Sequence, residues 1–165
     1  MDVDCRTGAL PAEVLRACSP AAVLGVDPSA AFVTRAATHV DDPQAARAVG
    51  SAQALPVADA SVDAVVSGPV LDFLPNRPAA LAEMRRGVRP SGPVAACVWD
   101  HAGGMQLMRR FRDAAAERDP AAHGLDQGVY FPGCRPELLR TRLPTADDGT
   151  IHLTARAWTV CGRRR

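Results

Sequence analysis

Asp2-Val3-Asp4-Cys5-Arg6-Thr7-Gly8 opens the chain and runs directly into Ala9 to Ala17, where Leu10, Val14 and Leu15 recur at helical spacing. Pro11 falls in the first turn of that helix, where a missing backbone N–H costs little. A short apolar strand, a tight turn and a helix are thus packed into one brief stretch. The same unit then repeats. Ala21 to Val26 reads as a second strand and Ser29 to Ala37 as a second helix, capped by Asp27 or Ser29. Strands alternating with helices argue for a parallel sheet covered by helices.

The pattern continues along the chain. Ala46 to Gly50 is a short third strand, and Val62 to Ser67 is a buried fourth. Ala79 to Val88 is an amphipathic helix with Leu81, Met84 and Val88 directed inward and Glu83, Arg85 and Arg86 outward. Arg89-Pro90-Ser91-Gly92 turns the chain into a fifth strand, Val94 to Trp99. Met105 to Glu117 is a further helix, followed by an irregular stretch from Arg118 to Arg135. Pro136 to Arg140 is a short helix, and Thr150 to Val160 alternates like a terminal strand.

The opening heptad resembles the Asp-Val-Gly-Cys-Gly-Thr-Gly loop of class I S-adenosylmethionine-dependent methyltransferases, with Asp4 and Arg6 standing where that loop has glycines. The likeness extends further. Val23-Leu24-Gly25-Val26-Asp27-Pro28-Ser29 is similar to the family's second strand. Gly50-Ser51-Ala52-Gln53-Ala54-Leu55-Pro56 resembles its Gly-Asp-Ala-Glu-Ala-Leu-Pro stretch. Asp59 to Ser67 resembles its Asp-x-Ser-Phe-Asp-x-Val run, and Leu81 to Arg86 with Arg89 to Gly92 resembles the helix and turn before its fifth strand. The order and spacing of these segments place the chain nearest the ubiquinone/menaquinone-biosynthesis-like, or type 11, methyltransferases.

That resemblance implies a single Rossmann-like, doubly wound α/β domain over residues 1–165, mostly parallel, with an antiparallel last strand beside the fifth. Relative to the subgroup, the helix before the first strand and the sixth strand, at the junction of Arg140 and Thr141, are expected to be missing. It also implies S-adenosylmethionine as cofactor and an unidentified small molecule as methyl acceptor. The implied cofactor contacts are Asp2, Thr7, Gly8, Asp27, Ser51, Ala52 and Ser67, with Asp27 gripping the ribose hydroxyls. Ser51 replaces the acid that meets the adenine amino group.

Each of these residues also has a plainer reading. Thr7 and Gly8 suit a helix-entry turn, Asp27 suits a helix cap, and Asp63 suits capping or pairing within the fold. His101, just beyond the fifth strand, is the candidate general base; otherwise it is a solvated loop histidine. Glycine serves in such loops because it adopts backbone angles closed to other residues and lets a ligand approach. Asp4 and Arg6, at about 1–3 kcal/mol each if forced into those angles, are therefore expected to weaken cofactor binding. Their opposite charges suggest an ion pair. A non-catalytic methyltransferase-like module is thus the rival function. A nicotinamide-dependent oxidoreductase is a third, disfavoured because no G-x-G-x-x-G is present.

Bulk properties narrow the field. Hydrophobic residues make up 47% and charged residues 22% of 165 residues, the profile of one globular domain. A net charge of +1 gives no electrostatic footprint for nucleic acid or an anionic membrane. All 19 basic residues are arginine, and the Arg163-Arg164-Arg165 tail reads as solvated. The five cysteines (Cys5, Cys18, Cys97, Cys134, Cys161) form no ligand cluster and read as free thiols in a reducing cytoplasm. His39, His123 and His152 have no partner in sequence and suggest no metal. No signal peptide or membrane span is expected. The exposed last strand is expected to invite self-association.

Overall fold

The structure is a computed structural model describing residues 1–101, 104–125 and 157–164. Ten elements carry the fold: β1 (Asp2–Val3), α1 (Ala9–Cys18), β2 (Val23–Asp27), α2 (Ala30–His39), β3 (Ala45–Val49), β4 (Val65–Ser67), α3 (Arg77–Gly87), β5 (Pro93–Trp99), α4 (Gln106–Arg118) and β6 (Ala157–Arg163). The strand order is β3-β2-β1-β4-β5-β6. The first five strands are parallel, with Asp2 level with Gly25 and Val66, and Val3 level with Val26 and Ser67. Strand β6 is the neighbour of β5, and the Arg164 backbone exchanges hydrogen bonds with Ser91 and Gly92. The expected Pro136 to Arg140 helix, the Arg140–Thr141 junction and positions 150–156 of the last strand lie outside the described residues.

Local chemistry sets the element boundaries. Ser29 caps α2 by accepting a hydrogen bond from the Phe32 N–H, and Asn76 caps α3 by accepting from the Ala79 N–H. Strand β4 begins three residues later than expected, but Val62 still forms an isolated parallel bridge with Val88. Asp63 pairs with Arg89 at 2.8 Å, as its plain reading required.

Two compact units emerge, Met1–Cys97 with Thr159–Arg165, and Val98–Trp158. In the first, Val3, Val26 and Val65 share one face of the sheet and pack with Leu55, Ala80, Met84 and Val88. Met84 is completely buried, worth about 1.5–3 kcal/mol relative to exposure. Helix α3 therefore turns Ala80, Met84 and Gly87 inward, and Leu81, expected in the core, is exposed. Glu83 and Arg86, expected in solvent, are half-buried and paired. Arg86 donates to Glu83, Asp59 and the Val57 and Leu55 carbonyls, while Glu83 accepts from the Leu55 N–H. The arginine tail is not simply solvated either, because the Arg164 guanidinium donates to the carbonyls of Arg86 and Val88 at the end of α3.

The second unit holds the end of β5, α4 and a 3-10 turn at Pro120–Leu125. Asp100 and His101 are buried, and the His101 N–H donates to the Trp99 carbonyl. No residue of α4 is buried; Leu107 and Phe111 are exposed, and Arg109 pairs with Asp113 one turn on. Among the described residues, no helix is long and apolar enough to cross a membrane, and no group of side chains is arranged to hold a metal ion.

Candidate functional site

The loop between β1 and α1 keeps the conformation of a glycine-rich turn without two of its glycines. Asp4 and Arg6 lie at φ 57° and φ 50°, in the left-handed region, and Gly8 at φ 88°. Surrounding hydrogen bonds hold them there. The Cys5 N–H donates to the Val26 carbonyl, the Gly8 N–H to the Cys5 carbonyl, and the Arg6 N–H to Oδ2 of Asp27 at 2.8 Å. The other oxygen of Asp27 accepts from the Ser29 N–H at 2.8 Å. A carboxylate offers about four acceptor sites, so two remain for a ligand.

This loop, the start of α2 and the segment Val70 to Pro75 after β4 enclose an open cleft of about 390 Å³. Its position follows from topology: the chain leaves β1 toward β2 on one side and β4 toward β5 on the other. The gap opens where strand order reverses, which is where open α/β sheets bind ligands. Asp27 lines the cleft, and so do the rings of Phe32 and Phe73, which are 37% and 57% exposed. The Arg6 guanidinium lies over the Phe32 ring, 5.5 Å from its centroid. Among the described residues, no ion pair joins Asp4 to Arg6; the aromatic face takes the arginine instead.

The site is rich in carboxylates. Burial raises the Asp4 carboxyl above its ordinary pKa, with Asp27 adding and Arg6 opposing. Asp2 is 1% exposed, and its Oδ1 has no hydrogen-bond partner among the described residues. Burial pushes its pKa up to about 7; the Met1 amine opposes this, while Asp4 and Asp27 add to it. Burial, then Asp2 and Asp27, pushes the Cys5 thiol up to about 11, so it is no nucleophile at neutral pH.

The expected contacts divide accordingly. Asp27 lines the cleft. Asp2 lies beneath it, two register steps before Asp27, and Ser67 is buried with its hydroxyl donating to the Val3 carbonyl. Thr7 and Gly8 face the end of α2: the Thr7 carbonyl meets His39, and a Cβ on Gly8 would come within 2.8 Å of Val40. The Ser51 hydroxyl accepts from the Gln53 N–H, and the Ala52 side chain belongs to the core. His101 is buried rather than solvated and belongs to the second unit, whereas the cleft belongs to the first. Sequence reasoning missed Phe32 and Phe73. The signal for Phe32 was an aromatic residue in the first turn of a helix that begins just after a candidate ribose-binding acid.

Left-handed angles at Asp4 and Arg6 carry a strain cost. Because the free protein already holds Asp4 and Arg6 in left-handed conformations, that cost falls on folding and not on binding. What remains against a ligand is the space taken by Arg6 and the charge of Asp4.

Comparison with known proteins agrees with this fold. The model of a methyltransferase domain family, type 11, matches residues 1–96. The malonyl-[acyl-carrier protein] O-methyltransferase of Xylella fastidiosa is 30% identical over 107 residues, 64% of this chain, and the chain spans 35% of that protein's length. The YcgJ protein of Bacillus subtilis superposes with a TM-score of 0.63 at 15% identity, covering 99% of this chain and 90% of its own. An Anabaena variabilis protein described as a methyltransferase of an antibiotic biosynthesis pathway superposes with a TM-score of 0.57 at 25% identity, covering 67% of this chain and 43% of its own.

Proposed function

The chain belongs to the type 11 methyltransferase domain family, and on that premise we propose that it binds S-adenosylmethionine and transfers its methyl group to a small-molecule acceptor, with an affinity lowered by Asp4 and Arg6. The observation that carries the reading is the cleft at the β1/β4 reversal, where Asp27 keeps acceptor sites beside two exposed aromatic rings. Those residues suit an adenosine: Asp27 would take the ribose hydroxyls, and Phe32 and Phe73 would flank the base. Bound S-adenosylmethionine supplies an already activated methyl group, so the protein contributes positioning and exclusion of water. The small-molecule acceptor is supported by the antibiotic-pathway relative and by the near-neutral charge of the chain. A malonyl-[acyl-carrier protein], the substrate in the name of the Xylella relative, is the competing acceptor class.

One observation favours a second reading. The Arg6 guanidinium covers the ring against which a base would stack, which suits a module that has lost its cofactor. Calorimetry with S-adenosylmethionine and, separately, NAD distinguishes these readings. Heat with S-adenosylmethionine alone supports the methyltransferase, no heat with either ligand supports the non-catalytic module, and heat with NAD alone would overturn both.

A further inference from the structure

Helix α2 reaches back to the loop at its far end. His39, its last residue, places Nδ1 2.9 Å from the Thr7 carbonyl oxygen, across 32 positions of sequence. A carbonyl only accepts, so Nδ1 carries the proton and donates. On the other side of the same peptide group, the Gly8 N–H donates to the Cys5 carbonyl. The Thr7–Gly8 peptide is therefore gripped from both faces, and a flip would break both hydrogen bonds. Gly8 adds a steric argument: a Cβ there would lie 2.8 Å from Val40 Cγ2 and 3.3 Å from the Ala36 Cβ. The loop thus sits directly on the last turn of α2, with no room to slide. Asp27 holds the preceding Arg6 N–H from the cleft side.

We infer that His39 is a positioning residue, which fixes the Thr7–Gly8 peptide and so the shape of the loop that borders the cleft. Its importance for cofactor affinity rests on the proposed function; its grip on the loop does not. The two parts are tested separately. An asparagine at this position places its amide nitrogen where Nδ1 stands, whereas glutamine carries its amide one bond further out. In the full chain, exchange of the Gly8 amide with deuterated water is expected to accelerate about threefold to tenfold in His39→Ala and His39→Gln. It is expected to return to the wild-type rate in His39→Asn. Nitrogen-15 spectra of the wild-type imidazole are expected to show Nδ1 protonated. Equal Gly8 exchange in all four proteins, or a bare Nδ1, would overturn the inference. Titration with S-adenosylmethionine then reads the functional part, with affinity falling about threefold to tenfold in His39→Ala and recovering in His39→Asn. If Gly8 exchange follows this order and no variant binds S-adenosylmethionine, the positioning role stands and the cofactor reading fails. If the cofactor binds and the His39 variants leave both readouts unmoved, the positioning role fails and the cofactor reading stands.

Discussion

Asp2 provides a direct test of how the buried carboxylates shape stability. Its side chain is 1% exposed, its Oδ1 lacks a partner among the described residues, and its pKa is pushed up to about 7, chiefly by burial. In the unfolded chain the same group titrates near 3.9. Below about pH 4 it is neutral in both states and carries no penalty. Between about pH 4 and 7 the unfolded chain releases this proton while the native state keeps it, so stability falls as pH rises. Above about pH 7 the loss levels off at about 4 kcal/mol, from three units at 1.36 kcal/mol each. Asp2→Asn cannot ionise and removes that slope. Urea unfolding from pH 4.5 to 8 at constant ionic strength is the assay. The wild type is expected to lose about 3 kcal/mol more than the variant across this range. Parallel curves for the two proteins would refute the reasoning.

Gly8→Ala combines a left-handed φ with a Cβ 2.8 Å from Val40, and urea unfolding should show a loss of about 3 kcal/mol. Arg86→Ala removes donors to two carboxylates and two carbonyls. Thermal melts should fall by several degrees and recover only in part in Arg86→Lys, because an ammonium cannot reproduce the guanidinium fork. Among the described residues, strand β6 ends the strand order beyond β5, and an open edge invites pairing. Sedimentation velocity should therefore show a concentration-dependent dimer that Thr159→Lys suppresses; a monomer at all concentrations would refute it.

The alternation of strands and helices was legible because each strand is short, apolar and followed by helical periodicity. The doubly wound, mostly parallel character of the sheet came with the family likeness. The glycine-like conformation of the loop was also legible, since the turn demands left-handed angles whatever residues occupy it. Side-chain partners were not. Arg6 has an acid two residues away, yet it lies over Phe32 in α2, a choice that only the folded loop decides. Leu81 looked like core by its helical spacing from Met84 and Val88, but the sheet faces the stripe of Ala80, Met84 and Gly87, one position away. His39 showed no partner in sequence because its partner is a backbone carbonyl, which no side-chain pattern records.

The central claim is that this cleft is an S-adenosylmethionine site narrowed by two side chains rather than a different site. Calorimetric titration of S-adenosylmethionine into the wild type and into Asp4→Gly/Arg6→Gly measures it directly. The Arg6 guanidinium must leave Phe32 before a base can stack there, and removal of the Asp4 carboxylate relieves repulsion of the cofactor's own carboxylate. The account predicts weak binding to the wild type and binding at least about tenfold tighter to the double variant, or about 1.4 kcal/mol. Equal affinity in both, or no binding to either, would contradict it.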